Sequence, residues 1–149
     1  MKIELRKVAH YPRLSEETEA FNADIYIDGV KRGEVENDGH GGMNFIHPFE
    51  LGREIDAYAK TLPPDPPSPG LEDLGPFAIT ADYLMSKLIE EWLVKKDLQK
   101  ILKKKTLFVI AGKCYEMKLP HRPKPEEKAQ ILTDLPFEDA LKIYVEAIS

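Results

Sequence analysis

The sequence predicts a single α+β domain in which antiparallel hairpins form a sheet packed against a long amphipathic helix, together with shorter helices. Three observations predict this class. Apolar and polar side chains alternate through residues 21–35 around a central Asp28-Gly29 pair, and residues 107–119 predict a second hairpin. Apolar residues then recur at helical spacing through residues 84–102. We therefore expect the hairpins and the long helix to share one core.

The first half of the chain predicts strands. Ile3 and Leu5 alternate with charged residues, which is typical of a half-buried strand, and residues 21–27 show the clearest alternation in the chain. The Asp28-Gly29 pair predicts a type I′ turn, because both central positions of that turn need a positive φ. In the return strand, Gly33 indicates either a bulge or a closely approaching neighbour.

Prolines bound the first predicted helix. Pro48 suits its first turn, and the apolar spacing continues to Leu62, after which Pro63-Pro64 ends the pattern. Five prolines within residues 63–70 predict an extended surface connector. Such a connector serves either as a rigid spacer or as a docking ligand for an aromatic groove, and the spacer is the simpler interpretation.

Local signals also define the remaining elements. Thr80 suits the cap of the long helix, and the continuous apolar run at residues 107–111 is typical of a central strand. Gly112-Lys113 resembles a two-residue hairpin turn with glycine first. Asp134, followed by Pro136, predicts the capped start of an amphipathic helix that runs to the C-terminus.

Composition narrows the class of protein and its location. The length fits one domain over residues 1–149, and Cys114 is the only cysteine, so no intramolecular disulfide can form. The charged N-terminus shows no signal peptide and no membrane-spanning segment. We therefore expect a cytoplasmic protein without membrane association.

The charge distribution argues against specific nucleic-acid binding. The formal net charge is -5, which is the wrong sign for a wholly basic binder. Six lysines within residues 95–105 are explained by the negative end of the helix dipole and by solvation of one helix face. Trp92 and Phe108 fall on the apolar pattern, so we assign them to the core rather than to a base-stacking surface.

The main candidate site is a turn in which three glycines and one histidine lie within six residues. It consists of Asn37, Asp38, Gly39, His40, Gly41 and Gly42, and His47 follows shortly after. Its glycines permit positive φ and close approach of a ligand, so that exposed amides and the His40 ring can face one partner. The same turn can also be a connector whose glycines serve only backbone geometry. We expect it to follow a hairpin and to precede a helix.

No familiar catalytic or metal-binding motif accompanies this turn. The sequence contains no CxxC, HxH or HExxH spacing, no Walker A loop and no GxGxxG, so it predicts neither a metal nor a cofactor. Cys114 lies on a predicted strand beside a turn, where a buried and inert thiol is the usual outcome. No residue is assigned a catalytic role on sequence alone.

Two function classes remain open. The first is a non-enzymatic interaction or regulatory protein that contacts a protein partner, or another macromolecule, through residues 37–47. The second is a small enzyme, such as a hydrolase, in which His40 acts as general acid or base, Asp38 orients it and loop amides stabilise an anion. A buried pocket that joins His40 to a second polar group would favour the enzyme, and a flat apolar surface beside the loop would favour the interaction protein. Neither the partner nor the oligomeric state follows from the sequence.

Overall fold

A computed structural model describes residues 1–67 and 69–149 of the chain, and within them seven strands and three α-helices occur. The strands are β1 (Ile3–His10), β2 (Phe21–Ile27), β3 (Val30–Asn37), β4 (Phe45–His47), β5 (Lys105–Ile110), β6 (Lys113–Lys118) and β7 (Gln130–Ile131). The helices are α1 (Phe49–Ala59), α2 (Ala81–Lys104) and α3 (Phe137–Ile148). The predicted α+β class, with antiparallel hairpins and one long helix, is confirmed.

The hairpins lie in two antiparallel sheets, whereas the sequence predicts one. The first sheet has the order β1-β2-β3-β4 and the second the order β6-β5-β7. The chain divides into two compact units, Met1–Ile89 and Glu90–Ser149, and each unit contains one sheet. Alternation specifies which side chains share a face of a strand but not which hairpins join in one sheet, so this error is intrinsic to the pattern. A single folding domain over residues 1–149 stays a prediction.

The β2–β3 hairpin confirms the predicted turn chemistry. Asp28 and Gly29 have φ values of 51° and 83°, as a type I′ turn requires. The strand register shifts after the Ile25–Gly33 pair, which confirms a bulge. A Cβ atom on Gly33 would also overlap the backbone carbonyl of His47, so both expectations for this glycine hold.

The core of the first unit lies on one face of its sheet. Its buried apolar side chains include alternate positions of β2 and three positions of α1: Phe21, Ala23, Ile25, Ile27, Leu51, Ile55 and Ala59. Val35 of β3 is buried with them. The helix ends at Ala59 rather than Leu62, and Phe49 at its start is exposed although it fits the apolar spacing. One face of the sheet is therefore apolar, and the opposite face is left polar.

The second unit has a core of its own. Its buried cluster contains Leu98, Leu107, Leu132 and Ala140, and the half-buried Val109 and Cys114 pack against it. β5 lies between its two neighbours, which confirms the predicted central strand. Helix α2 therefore packs on this sheet through Leu98.

Two local predictions in the second unit are wrong by one or two residues. The β5–β6 turn is centred on Ala111 and Gly112, with φ values of 51° and 78°, rather than on Gly112-Lys113. Both central positions of this turn have positive φ, so glycine takes its second position. Helix α3 begins after Pro136, and Asp134 instead ends the short 3-10 turn Leu132–Asp134.

The long helix α2 is capped as predicted, since the N–H of Tyr83 donates a hydrogen bond to Thr80 Oγ1 at 3.1 Å. Trp92 is half-buried, and Lys96 Nζ lies 4.6 Å from its ring centroid. Trp92 is therefore only partly buried, whereas Phe108 is buried as predicted. Within residues 1–67 and 69–149, no helix is both long enough and apolar enough to cross a membrane.

The proline-rich connector at residues 63–70 is held by contacts of Asp65, near the N-terminal end of the connector. Asp65 pairs with Phe77 in an isolated antiparallel bridge, so the predicted extended connector makes one strand-like pairing. The Tyr83 hydroxyl donates a hydrogen bond to the Asp65 carboxylate and holds the pKa of that carboxyl below its ordinary value. Ser68, within the predicted connector, lies outside the described residues.

A buried hydroxyl in the second sheet gives a stability prediction. Thr106 is 0% exposed, and its Oγ1 has no hydrogen-bond partner among the residues that the structure describes. Leaving a buried hydroxyl unpaired costs about 1–3 kcal/mol. Thr106→Val removes the hydroxyl and preserves the shape of the side chain, so we expect the free energy of unfolding to rise by about 1 kcal/mol in urea denaturation.

Thr133→Val is the matched control for this measurement. The Thr133 hydroxyl accepts a hydrogen bond from the Leu107 N–H at 2.8 Å, so its removal should lower the free energy of unfolding. If both valine variants were less stable than the wild type, the Thr106 hydroxyl would have a partner after all.

Candidate functional site

The glycine-rich turn lies between two strands. Asn37 is the last residue of β3 and His47 the last residue of β4, which pairs antiparallel with β3. The turn precedes helix α1, as expected, but the short strand β4, which the sequence does not predict, lies between them. A strand of three residues is too short for alternation to be visible in a sequence. In the β3–β4 pair, Glu36 lies opposite Phe45 and Glu34 opposite His47.

Two buried asparagines hold the ends of the turn. Asn37 Nδ2 donates a hydrogen bond to Asn44 Oδ1 at 3.0 Å, and Asn44 Nδ2 donates to Asp82 Oδ1 and to Ser86 Oγ, each at 2.9 Å. The N–H of Asn44 also donates to Asp82 Oδ1, at 2.7 Å. Buried polar groups are costly unless they are paired, and this network pairs them. The structure thus places Asn37 in the interior, as a support for the turn.

Gly39 joins the turn to an earlier segment of the chain. Its carbonyl oxygen accepts hydrogen bonds from the N–H groups of Glu16 and Glu17, both at 3.0 Å. Its own N–H donates to Asn37 Oδ1 at 2.9 Å, and the Thr18 hydroxyl donates to the same oxygen at 2.8 Å. Gly39 is buried with a φ of 86°, a conformation that favours glycine. Sequence patterns gave no sign that residues 16–18 belong to the site.

The other two glycines of the turn also have positive φ, 87° at Gly41 and 89° at Gly42. The predicted need for glycine is therefore confirmed at all three positions. They differ in surroundings, because a Cβ atom on Gly42 would have no atom within 4 Å, whereas one on Gly41 would approach the Glu17 carboxylate.

His40 lies on the surface. Its side chain is 59% exposed, and Nδ1 lies 3.2 Å from Oε2 of Glu16, whose side chain is 68% exposed. The carboxylate of Asp38 accepts a hydrogen bond from the backbone N–H of His40 at 3.1 Å, so it shapes the turn. Glu16, rather than Asp38, is the carboxylate beside the imidazole. Water surrounds this pair and weakens its electrostatic coupling.

His47 does not meet His40. Its Nε2 lies 3.3 Å from Glu36 Oε1, and its side chain is as exposed as that of His40. His40 therefore lies beside Glu16, and His47 lies beside a different glutamate, Glu36. In the described ranges, 1–67 and 69–149, no group of three His, Cys, Asp or Glu side chains is arranged to hold a metal ion.

A cleft of about 420 Å³ opens beside His40. Three large apolar side chains, Tyr11, Leu14 and Phe45, line it and are 43%, 54% and 57% exposed. Asn22 Nδ2 donates a hydrogen bond to the Tyr11 hydroxyl at 3.0 Å, which fixes that ring at the edge of the sheet. The carboxylates of Glu36 and Asp38 complete the lining.

Comparison of the chain with known proteins found no match. No protein-family model, no curated protein and no solved structure matches the chain. The chemistry of the site follows from its own side chains, which are an exposed apolar group, a set of carboxylates and one imidazole.

The single cysteine has the environment of an inert thiol. Cys114 is half-buried against the apolar cluster of the second unit. Burial raises the pKa of its thiol above the ordinary value, and the negative charge of Glu116 raises it further. Because the thiolate is the nucleophilic form, Cys114 is a poor nucleophile at neutral pH.

The lysine-rich end of α2 shows two contacts that involve its charges. Lys96 lies over the Trp92 ring, and Lys105, the first residue of β5, places Nζ 2.8 Å from Glu116 Oε1. Lys103 and Lys104 occupy the last turn of the helix, where cations interact favourably with the helix dipole. Weak binding of nucleic acid by this segment stays a prediction.

Proposed function

We propose that this chain is a non-enzymatic interaction protein that binds a protein partner through the His40 surface, which we define as Tyr11, Leu14, Asp38, His40 and Phe45. The observation that carries the proposal is the cleft beside the turn, whose apolar walls are exposed. Aromatic and large apolar side chains exposed together are characteristic of protein-binding surfaces. The imidazole at the rim supplies a polar group for specificity.

The hydrogen bonds of the turn favour binding over catalysis. An enzyme that stabilises an anion here would need free backbone amides. The N–H groups of Gly39, His40 and Gly41 instead donate to Asn37 Oδ1, Asp38 Oδ1 and Thr18 Oγ1, at 2.9, 3.1 and 3.4 Å. The alternative, a small hydrolase with His40 as general acid or base, would thus have to act without these three amides as anion donors.

The proposed location of this activity is the cytoplasm. The support is chemical, since a chain with a single cysteine cannot form an intramolecular disulfide, as suits a reducing compartment. A cytoplasmic protein or protein complex is the partner that the proposal implies.

His40→Ala tests the proposal. We expect this variant to bind the partner at least about fivefold more weakly, while its melting temperature stays close to that of the wild type, because an exposed side chain contributes little to stability. The partner is identified as a protein captured from lysate by the wild type, and its affinity is then measured with purified components.

His121→Ala is the control, since His121 is an exposed histidine in the second unit. It should bind the partner as the wild type does. Partner binding that is unchanged in His40→Ala and in Phe45→Ser would overturn the proposal. Hydrolase activity that is lost in His40→Ala alone would assign the turn to the enzyme alternative.

A further inference from the structure

The cleft of the His40 surface continues into a second cavity. This cavity, of about 240 Å³, shares Asn22 and Glu36 with the cleft and adds Asp24, Glu34 and His47. Asn22 lies opposite Glu36, and Asp24 opposite Glu34, in the β2–β3 pair. Because side chains two residues apart point to the same face of a strand, both cavities lie on the face opposite the core. Together they form one groove, which we call the outer groove.

The outer groove has an apolar end and an acidic end. Tyr11, Leu14 and Phe45 form the apolar end, whereas Asp24 and Glu34 line the acidic end. Phe45 lies opposite Glu36, which is two residues from Glu34 along β3, and this separation corresponds to about 6.8 Å. An extended peptide repeats its side chains on one face at the same spacing. The groove therefore fits an extended segment with side chains of different chemistry at positions i and i+2.

Charge decides the chemistry of the second side chain. Lys31 contacts the acidic end, with Nζ 3.5 Å from Asp24 Oδ1 and 3.7 Å from Glu34 Oε1, so one lysine is shared by two carboxylates. Glu36 lies beside the exposed His47. The whole first unit carries 16 acidic against nine basic residues. This surplus favours a cationic occupant and repels an anionic one.

We infer that the outer groove binds an extended basic segment of a protein partner, with a large apolar side chain in the cleft and a Lys or Arg side chain two residues away against Asp24 and Glu34. This inference rests on the proposed function and names the chemistry of its partner. Burial of apolar surface stabilises the apolar side chain of the partner in the cleft. The Lys or Arg side chain of the partner, held at the acidic end, determines in which of the two chain directions the segment binds.

Selection from a peptide library tests the inference. Random nine-residue peptides displayed on phage are selected on the whole protein, and the binding of enriched peptides is measured by fluorescence anisotropy. We expect enriched peptides to carry an aromatic or large aliphatic residue and a Lys or Arg two positions apart. Moving the basic residue to the adjacent position should weaken binding at least about fivefold, because its side chain then points away from the groove. Enrichment of acidic peptides, or no enrichment, would overturn the inference.

Two variants separate this inference from the proposed function. Phe45→Ser removes part of the apolar end, and Glu34→Lys reverses a charge at the acidic end. We expect each variant to bind the selected peptide at least about fivefold more weakly than the wild type does. We also expect the affinity of the wild type for the peptide to fall as the salt concentration rises from 50 to 300 mM. Glu146→Lys makes the same charge change at an exposed position of α3 and should have no effect.

The pattern of losses identifies which proposal fails. Loss with Phe45→Ser but not with Glu34→Lys would keep the His40 surface as a binding site and overturn the basic partner. Loss with neither variant would overturn both proposals. A concentration-dependent dimer that Phe45→Ser abolishes would assign the groove to a second copy of the chain, which also overturns the inference.

Discussion

Gly39→Ala should lower the free energy of unfolding by about 4 kcal/mol, while Gly42→Ala should lower it by only about 1 kcal/mol. The two glycines have nearly the same backbone conformation, with φ values of 86° and 89°. They differ in what a side chain would meet. A Cβ atom on Gly39 would overlap the carbonyl oxygen of Leu14 and lie 2.9 Å from the Ala20 side chain, whereas one on Gly42 would meet nothing within 4 Å.

The pair of variants separates backbone strain from steric overlap. Chemical denaturation of both proteins measures the difference, and the Gly42 variant reports the cost of the positive φ alone. The Gly39 variant adds the displacement of Leu14 and of residues 16–18, whose N–H groups donate hydrogen bonds to the Gly39 carbonyl. Equal losses in the two variants would mean that the contact between Gly39 and Leu14 does not hold in solution.

Asn44→Ala should lower the free energy of unfolding by about 3 kcal/mol. The substitution removes the side-chain hydrogen bond to the carboxylate of Asp82, and it leaves the buried Asn37 Nδ2 without its acceptor. Hydrogen bonds to charged groups and unpaired buried donors are the costly cases, because the buried partners cannot recover water.

Met43→Ala is the matched control, because Met43 precedes Asn44 in the same turn and its side chain is exposed. We expect it to change the free energy of unfolding by less than about 0.5 kcal/mol in the same denaturation experiment. A loss of the same size in both variants would show that the turn is sensitive to any substitution rather than to the Asn44 network.

Features determined by neighbouring residues could be predicted from the sequence. The Asp28-Gly29 turn, the Thr80 cap and the central strand β5 each depend on a few adjacent side chains, and all three are confirmed. The Ala111-Gly112 turn lies one residue earlier than the predicted Gly112-Lys113 turn, because glycine suits more than one position of a hairpin turn.

Features determined by distant residues could not be predicted. The partition of the hairpins into two sheets depends on tertiary packing, and Asn44 meets Asp82 across 38 positions of the chain. The candidate turn was found through its glycines and His40, but Tyr11, Leu14 and Glu16 come from a segment more than 20 residues earlier. No periodicity links these segments, so the apolar wall beside His40 was visible only in the structure.

The anchoring of Gly39 has a kinetic consequence for recognition. The hydrogen bonds that join residues 16–18 to the turn form when the chain folds, so the His40 surface is preorganised before a partner arrives. Little entropy of this turn is then lost on association, so the chain presents a rigid surface to its partner. Partners that differ in affinity should accordingly share similar association rate constants and differ in the lifetime of the complex.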